Sequence, residues 1–260
     1  PDCINRDLLN QGFFSRERIK QLTQEMVEAG VKAVVLIGGG EPLIHPEIDW
    51  VIDYLGRHGV KIGITTNGLL LDKHLDVVAK YASWVRVSVD AATPDTFNHI
   101  RTSRTGESMF GKLIENMKLY AKAKRGTLGY SFMIYTEGEF DKSKKGASSL
   151  GGDDKPYSNI DEIYNAASLA KEIGCDYFEV KPMYNINHFA ICQRKEFISQ
   201  VEEQLKKCLS LVDNKFRVLQ ATKLQKTLSG ENSVEEKDYT RCAVAQLRTL
   251  VTPSGVYVCP

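Results

Sequence analysis

Repeated strand–helix units make an α/β fold the expected architecture of this chain. Short aliphatic runs alternate with segments of helical period along most of its length, and glycine, asparagine and proline mark the turns between them. That order implies parallel strands joined by right-handed crossovers. With 260 residues, 42% of them apolar and 26% charged, the chain can bury a full core.

The first helix is expected from Ser15, a suitable N-cap, through the stripe Ile19, Leu22, Met26 and Val27 to a stop at Gly30. Ala33–Ile37 follows as a strand, and its aliphatic run from Val34 to Ile37 reads as buried on both faces. Pro46 suits a first helical turn, and Ile48, Val51, Ile52 and Leu55 carry that helix to Gly59. KIGITT (61–66) is the next strand and turns at Asn67-Gly68; a helix around Leu75–Tyr81 leads to the strand WVRVSVD (84–90). Thr93-Pro94 opens a short helix, and a longer one spans Phe110–Lys122. GYSFMIY (129–135) is a fourth strand; Asn159 and Glu162 resemble a capping box for the helix that ends near Gly174. YFEVKPMY (177–184) is the fifth strand and Glu196–Val212 the last long helix. Five strands do not close an eight-fold barrel, so an open barrel and a doubly wound sheet both fit. In either, ligands bind beyond the carboxyl ends of the strands. The polar, aperiodic segment 136–158 reads as a surface insertion.

The net charge of +1, without long blocks of like charge, gives no reason to expect nucleic-acid binding. No apolar run is long enough for a membrane span and no signal-peptide pattern is visible, which favours the cytoplasm. Pro1 and the closing Cys259-Pro260 read as cuts through a longer protein. Six cysteines are too sparse for a disulfide scaffold, leaving free thiols or metal ligands.

Function is sought at the strand ends. The first strand stops in Gly38-Gly39-Gly40, then Glu41 and Pro42. A P-loop needs Gly-Lys-Ser/Thr, which is missing, and Gly38-x-Gly40 is followed by Leu43 where a dinucleotide fingerprint needs glycine. Glu41 would repel a pyrophosphate; beside exposed carbonyls it suits a cation such as an ammonium group, against the plainer reading of a tight turn with a solvated acid. Thr65-Thr66-Asn67-Gly68 ends the second strand, and Ser88 and Asp90, two apart, share a face of the third. Acid, amide and hydroxyl groups in one layer suit a polar ligand carrying an ammonium and a ribose; helix caps and turn formers are the structural alternative.

GGEP (39–42), TTNG (65–68) and VSVD (87–90), in that order, resemble the radical S-adenosylmethionine enzymes. The resemblance covers about residues 1–185 and implies a partial (βα)6 TIM-like barrel whose first strand lies upstream. It implies a 4Fe–4S cluster held by a C-x3-C-x2-C motif, with Cys3 as the third ligand, and S-adenosylmethionine bound at the open iron. By the same resemblance Gly39, Gly40 and Glu41 meet the methionyl ammonium, while Thr66, Asn67, Ser88 and Asp90 are candidates for the ribose and carboxylate. Arg101 is a further candidate for the carboxylate, against a solvated surface arginine. The family reduces the sulfonium with one electron, from a donor such as flavodoxin or ferredoxin, and the 5′-deoxyadenosyl radical abstracts a substrate hydrogen.

The tail adds Cys242, a β-like run Leu247–Val251, a Pro-Ser-Gly turn, Val256–Val258 and Cys259, which together read as a hairpin bringing two thiols toward one place. It resembles the SPASM or Twitch extension, which implies an auxiliary iron–sulfur cluster with Cys242 and Cys259 as ligands. A zinc knuckle or a structural hairpin with unpaired thiols would use similar residues. The expected division is a radical core at 1–190, a linking helix at 191–215 and the start of the auxiliary domain, a small C-terminal β-hairpin unit, at 216–260. Cys175 and Cys208 read as core. Cys192 is a candidate hydrogen-atom donor or a plain loop cysteine, and Lys181 and His188 are candidate substrate contacts or rim residues. A small polar substrate, a sugar or nucleoside, is preferred over a peptide or protein substrate. Two rivals remain: a Schiff-base barrel lyase using Lys181 without a cluster, and a non-catalytic cofactor-binding protein.

Overall fold

The computed structural model describes residues 12–101, 103, 106–135, 158–182, 195–229, 240, 244 and 247–258. Six strands form one sheet in chain order: β1 (Ala33–Leu36), β2 (Lys61–Thr66), β3 (Ala82–Ser88), β4 (Thr127–Ile134), β5 (Tyr177–Pro182) and β6 (Arg217–Gln220). Every neighbouring pair is parallel. A doubly wound sheet requires its strand order to reverse, whereas sequential order with right-handed crossovers puts every connecting helix on one face. The open barrel is therefore the architecture formed.

The helices are α1 (Arg16–Glu28), α2 (Ile48–Arg57), α3 (Leu75–Tyr81), α4 (Pro94–Ile100), α5 (Phe110–Ala123), α6 (Ile163–Ile173), α7 (Lys195–Cys208) and α8 (Thr222–Leu228). Their starts follow local chemistry. The Ser15 hydroxyl accepts from Arg18 N at 3.1 Å, and Thr93 caps α4 ahead of Pro94 by accepting from Thr96 N at 3.3 Å. α2 buries Ile48, Val51, Ile52 and Leu55; α5 buries Phe110, Leu113, Met117 and Tyr120. These meet Ile62, Ile64, Val85, Val87, Leu128 and Phe132, all closed to solvent on the convex side of the sheet. Each such aliphatic or aromatic side chain contributes about 1.5–3 kcal/mol by leaving water. Cys175 and Cys208 lie in this core, as expected, and burial pushes the Cys208 thiol up to about 11.

Three expectations are corrected. The run 34–37 is not buried on both faces: Val35 and Ile37 are 50% and 51% exposed, because register with Gly63 turns Val35 to the concave side at the edge of the sheet, where β2 is the sole partner of β1 among the described residues. β3 runs two residues earlier than expected and ends at Ser88, since Asp90 has a φ of 63° and leaves the strand. A sixth strand, Arg217–Gln220, extends the sheet beyond β5. The C-terminal hairpin does form: β7 (Leu250–Thr252) and β8 (Gly255–Tyr257) pair antiparallel.

The concave face differs from the convex one. Alternation turns Trp84, Arg86 and Ser88 of β3 to this side, with Ser131 and Met133 of β4 and Tyr177, Glu179 and Lys181 of β5. Trp84 lies over its neighbour Gly63 and Tyr177 over Gly129, so closely that a Cβ on either glycine would sit 2.2 or 2.0 Å from a ring carbon. The two rings thereby form an aromatic floor beneath the polar groups nearer the strand ends. Gly63→Val and Gly129→Val are each expected to destabilise the fold by about 1–3 kcal/mol, read as a lower denaturant midpoint, because a side chain there forces a ring off its seat. Iodoacetamide should modify Cys175 and Cys208 only after unfolding, which peptide mass spectrometry with and without guanidinium checks.

Candidate active site

Glu41 is the first fixed point at the strand ends. Its Oε1 accepts from Leu43 N at 3.1 Å and from the Thr66 hydroxyl at 2.7 Å, and its Oε2 accepts from Asn67 N at 2.7 Å. One carboxylate thus ties the turn after β1 to the end of β2. The second turn is itself fixed: Gly68 N donates to Thr66 Oγ1 at 3.0 Å, Leu69 N to Asn67 Oδ1 at 2.9 Å, and Asn116 Nδ2 of α5 to Gly68 O at 3.0 Å. A carboxylate offers about four acceptor positions. Three are taken here by the groups just named, so half-buried Glu41 keeps capacity for one more donor. Above Gly40 an added Cβ would meet no atom within 4 Å among the described residues, so this edge lies open to them beside the acid.

Asp90 is the second fixed point. Its side chain is 3% exposed. Oδ1 accepts from Met133 N of β4 at 2.8 Å, and Oδ2 pairs with Arg101 Nη2. Its main-chain oxygen accepts from Asn159 Nδ2 at 2.9 Å, and the same amide nitrogen donates to Met133 O at 2.9 Å while Asn159 Oδ1 accepts from Tyr135 N at 2.7 Å. Asn159, 1% exposed, is therefore a knot between the ends of β3 and β4. The expected capping box is corrected: neither Asn159 nor Glu162 makes a side-chain cap. Glu162 reaches to the start of α4 instead, accepting from Ala92 N at 2.6 Å and from the hydroxyls of Thr93 and Thr96 at 2.7 and 2.8 Å.

The site residues read from the sequence thus separate by position. Gly40 and Glu41 face an open edge, and Ser88 lies on the concave face opposite Ser131. Thr66 and Asp90, both nearly closed to solvent, have their polar atoms committed to Glu41 and Arg101. Arg101 is no solvated surface group: its Nη2 holds Asp90, and its buried Nε has no partner among the described residues. Lys181 donates from Nζ to Ser131 Oγ at 3.1 Å and lies 3.0 Å from Glu179 Oε2. Burial first, then the Arg86 guanidinium, pushes its ammonium below the ordinary lysine value, opposed by Glu179. Cys3, His188, Cys192, Cys242 and Cys259 lie outside the described residues, as does the insertion up to residue 157. Among the described residues no group of three or more His, Cys, Asp and Glu could hold a metal ion, and no helix is long and apolar enough to cross a membrane. Asn159 and Glu162 were missed because an Asn-x-x-Glu spacing before a helix reads as local capping.

Residues 3–147, a little over half of the chain, match the family described as the Radical SAM superfamily. The chain belongs to that superfamily. A GTP 3′,8-cyclase of Synechocystis is 28% identical to this radical SAM chain over 117 residues, 44% of this chain and 34% of the cyclase. An AdoMet-dependent heme synthase of Methanosarcina barkeri is 25% identical over 171 residues, 65% of this chain and 42% of the synthase. The radical SAM chain thus spans less than half the length of either relative. Among solved structures, Streptococcus suis SuiB bound to S-adenosylmethionine superposes with a TM-score of 0.58 at 15% identity, covering 84% of this chain and 47% of SuiB. The anSMEcpe structure with bound AdoMet and Cp18Cys peptide gives 0.57 at 15% identity, covering 89% and 63%. Both likenesses show the partial-barrel fold, and the family brings with it a 4Fe–4S cluster and S-adenosylmethionine as cofactors.

Arg101 can receive an anion and the edge beside Glu41 a cation, the two charges that a methionyl group carries. Asn159→Ala should cost about 2–4 kcal/mol of stability, since it strands two carbonyls and an amide at once, and denaturant unfolding measures it. Asn159→Asp is expected to cost a similar amount, because the carbonyls of Asp90 and Met133 then face an acceptor.

Proposed function

We propose that this chain, with Cys3 among the ligands of a 4Fe–4S cluster, reductively cleaves S-adenosylmethionine to a 5′-deoxyadenosyl radical that takes a hydrogen atom from a small polar substrate at the barrel mouth. Glu41 carries the reading. It is a half-buried carboxylate, clamped by three protein donors with capacity for one more, directly after an open glycine edge and inside the matched segment.

In this reading the Gly39-Gly40 backbone and Glu41 receive the methionyl ammonium. Arg101, held by Asp90, receives its carboxylate. Ser88 and Asn67 face the ribose. Thr66 orients Glu41, so it and Asp90 act as positioning residues. The aromatic floor of Trp84 and Tyr177 closes the barrel from below and keeps water from the reacting carbon. Cys192 remains a proposed hydrogen donor and Lys181 a proposed substrate contact. The β7–β8 hairpin supports reading the tail as the start of a SPASM- or Twitch-like unit, with Cys242 and Cys259 ligating an auxiliary cluster. Family membership favours this chemistry over a clusterless Schiff-base lyase.

The test is anaerobic reconstitution with iron and sulfide, reduction with dithionite and S-adenosylmethionine, and chromatography for 5′-deoxyadenosine. Formation of that nucleoside is the expected result; a cluster-loaded sample that leaves the cofactor intact would support a binding protein instead. Glu41→Gln and Arg101→Met should each weaken S-adenosylmethionine binding about tenfold or more by calorimetry, with secondary structure retained in circular dichroism.

A further inference from the structure

On the concave face, charged side chains of β3 and β5 meet in an arrangement that the cofactor reading does not use. A single oxygen, Glu179 Oε2, faces two cations: Lys181 Nζ at 3.0 Å and Arg86 Nη1 at 3.4 Å. The arginine contact is long for a charge-assisted hydrogen bond. Arg86 Nη2 reaches Thr65 Oγ1 only at 3.3 Å, and Arg86 Nε is buried with no partner among the described residues. Both Nη groups of the guanidinium are thus held only by long contacts, and the buried Nε adds none among the described residues, so the guanidinium keeps donor capacity. The side chains of Arg86, Lys181 and Glu179 are 27%, 25% and 20% exposed, so part of each reaches solvent while Arg86 Nε does not. Below them lies the aromatic floor, with the Trp84 ring centroid 6.0 Å from the Arg86 guanidinium carbon. Asp90, paired with Arg101, also acts on Lys181, more weakly than Glu179 and in the same sense. Two cations sharing one carboxylate in a partly desolvated cup is an arrangement that an incoming anion relieves.

We propose that Arg86 and Lys181 form an anion site that anchors a phosphate or carboxylate group of the substrate, while Glu179 holds the two cations apart and in register. The substrate class is therefore a small anionic metabolite. Arg86 supplies a charge-assisted contact through its Nη groups, Lys181 a point charge from the adjacent side, and Ser131, already bonded to Lys181, steadies the lysine. The inference deepens the radical reading by naming what the barrel holds beside the cofactor; the binding site itself does not require the cluster to turn over.

Three sugars that differ only in their charged group test it: glucose 6-phosphate, glucuronate and glucose, titrated by calorimetry into the cluster-reconstituted full chain with saturating S-adenosylmethionine. At least one charged sugar should bind about tenfold or more tighter than glucose, and which of the two does so names the anion. Arg86→Gln and Lys181→Met should each remove about tenfold of that affinity, whereas Glu179→Gln should strengthen it by freeing both cations. Thermal melting reports folding of each variant, and Lys181→Met carries the comparison if Arg86→Gln does not fold. Equal binding of all three sugars, anion binding that survives both cation variants, or weaker binding in Glu179→Gln would overturn the proposal. Loss of S-adenosylmethionine binding in Arg86→Gln would also overturn it, by assigning Arg86 to the cofactor. Charged sugars that bind selectively to a protein unable to bind S-adenosylmethionine would instead sink the cofactor reading and leave the anion site standing.

Discussion

Asp90 holds the working end of the barrel in shape. A non-glycine residue at a φ of 63° is in a conformation about 1 kcal/mol or more above the common ones. It persists here because both its carboxylate and its carbonyl are claimed from the other side, by Met133 N, Arg101 and Asn159. The left-handed turn swings the carboxylate out of the alternation of β3 and back toward β4. Arg101 is consequently held against Asp90, and the segment 91–93 is delivered to Glu162.

A second acid repeats this logic on the neighbouring strands. Glu41 is tied to Thr66 and Asn67 as Asp90 is tied to Met133 and Arg101, so two buried or half-buried carboxylates each clamp a pair of strand ends. Parallel strands leave ragged carboxyl termini, whose peptide groups have lost their ladder partners. Side-chain carboxylates and amides satisfy these groups. The result is a rim rigid enough to fix donors and acceptors in space.

How far the sequence revealed this depends on the range of each interaction. The strand–helix rhythm was legible because period and capping are local: Ser15 and Thr93 cap where their spacing says they should. The strand ends were legible as a polar layer from their glycines, acids and hydroxyls. β6 was not, because RVLQ is four residues long with an exposed edge and no apolar alternation to set it apart from a loop. The edge position of β1 was invisible for the opposite reason, since its aliphatic run resembles a central strand whatever flanks it. Asn159 looked like a cap and is a knot, and Arg86 meets a partner 93 residues away. Nothing in the spacing of either residue announces a contact that only strand register creates.

The aromatic floor has an optical consequence. The chain has two tryptophans, and they look in opposite directions. Trp50 stacks on Tyr54 along the outer helix α2, with the Lys20 ammonium 5.5 Å from its ring, whereas Trp84 lies inside the barrel beside Arg86. The indole of Trp84 therefore sits in the local electric field of the inner charges, and its emission wavelength follows any rearrangement of them. Nature has in effect placed a fluorophore at the bottom of the cup and a reference dye on its outer wall.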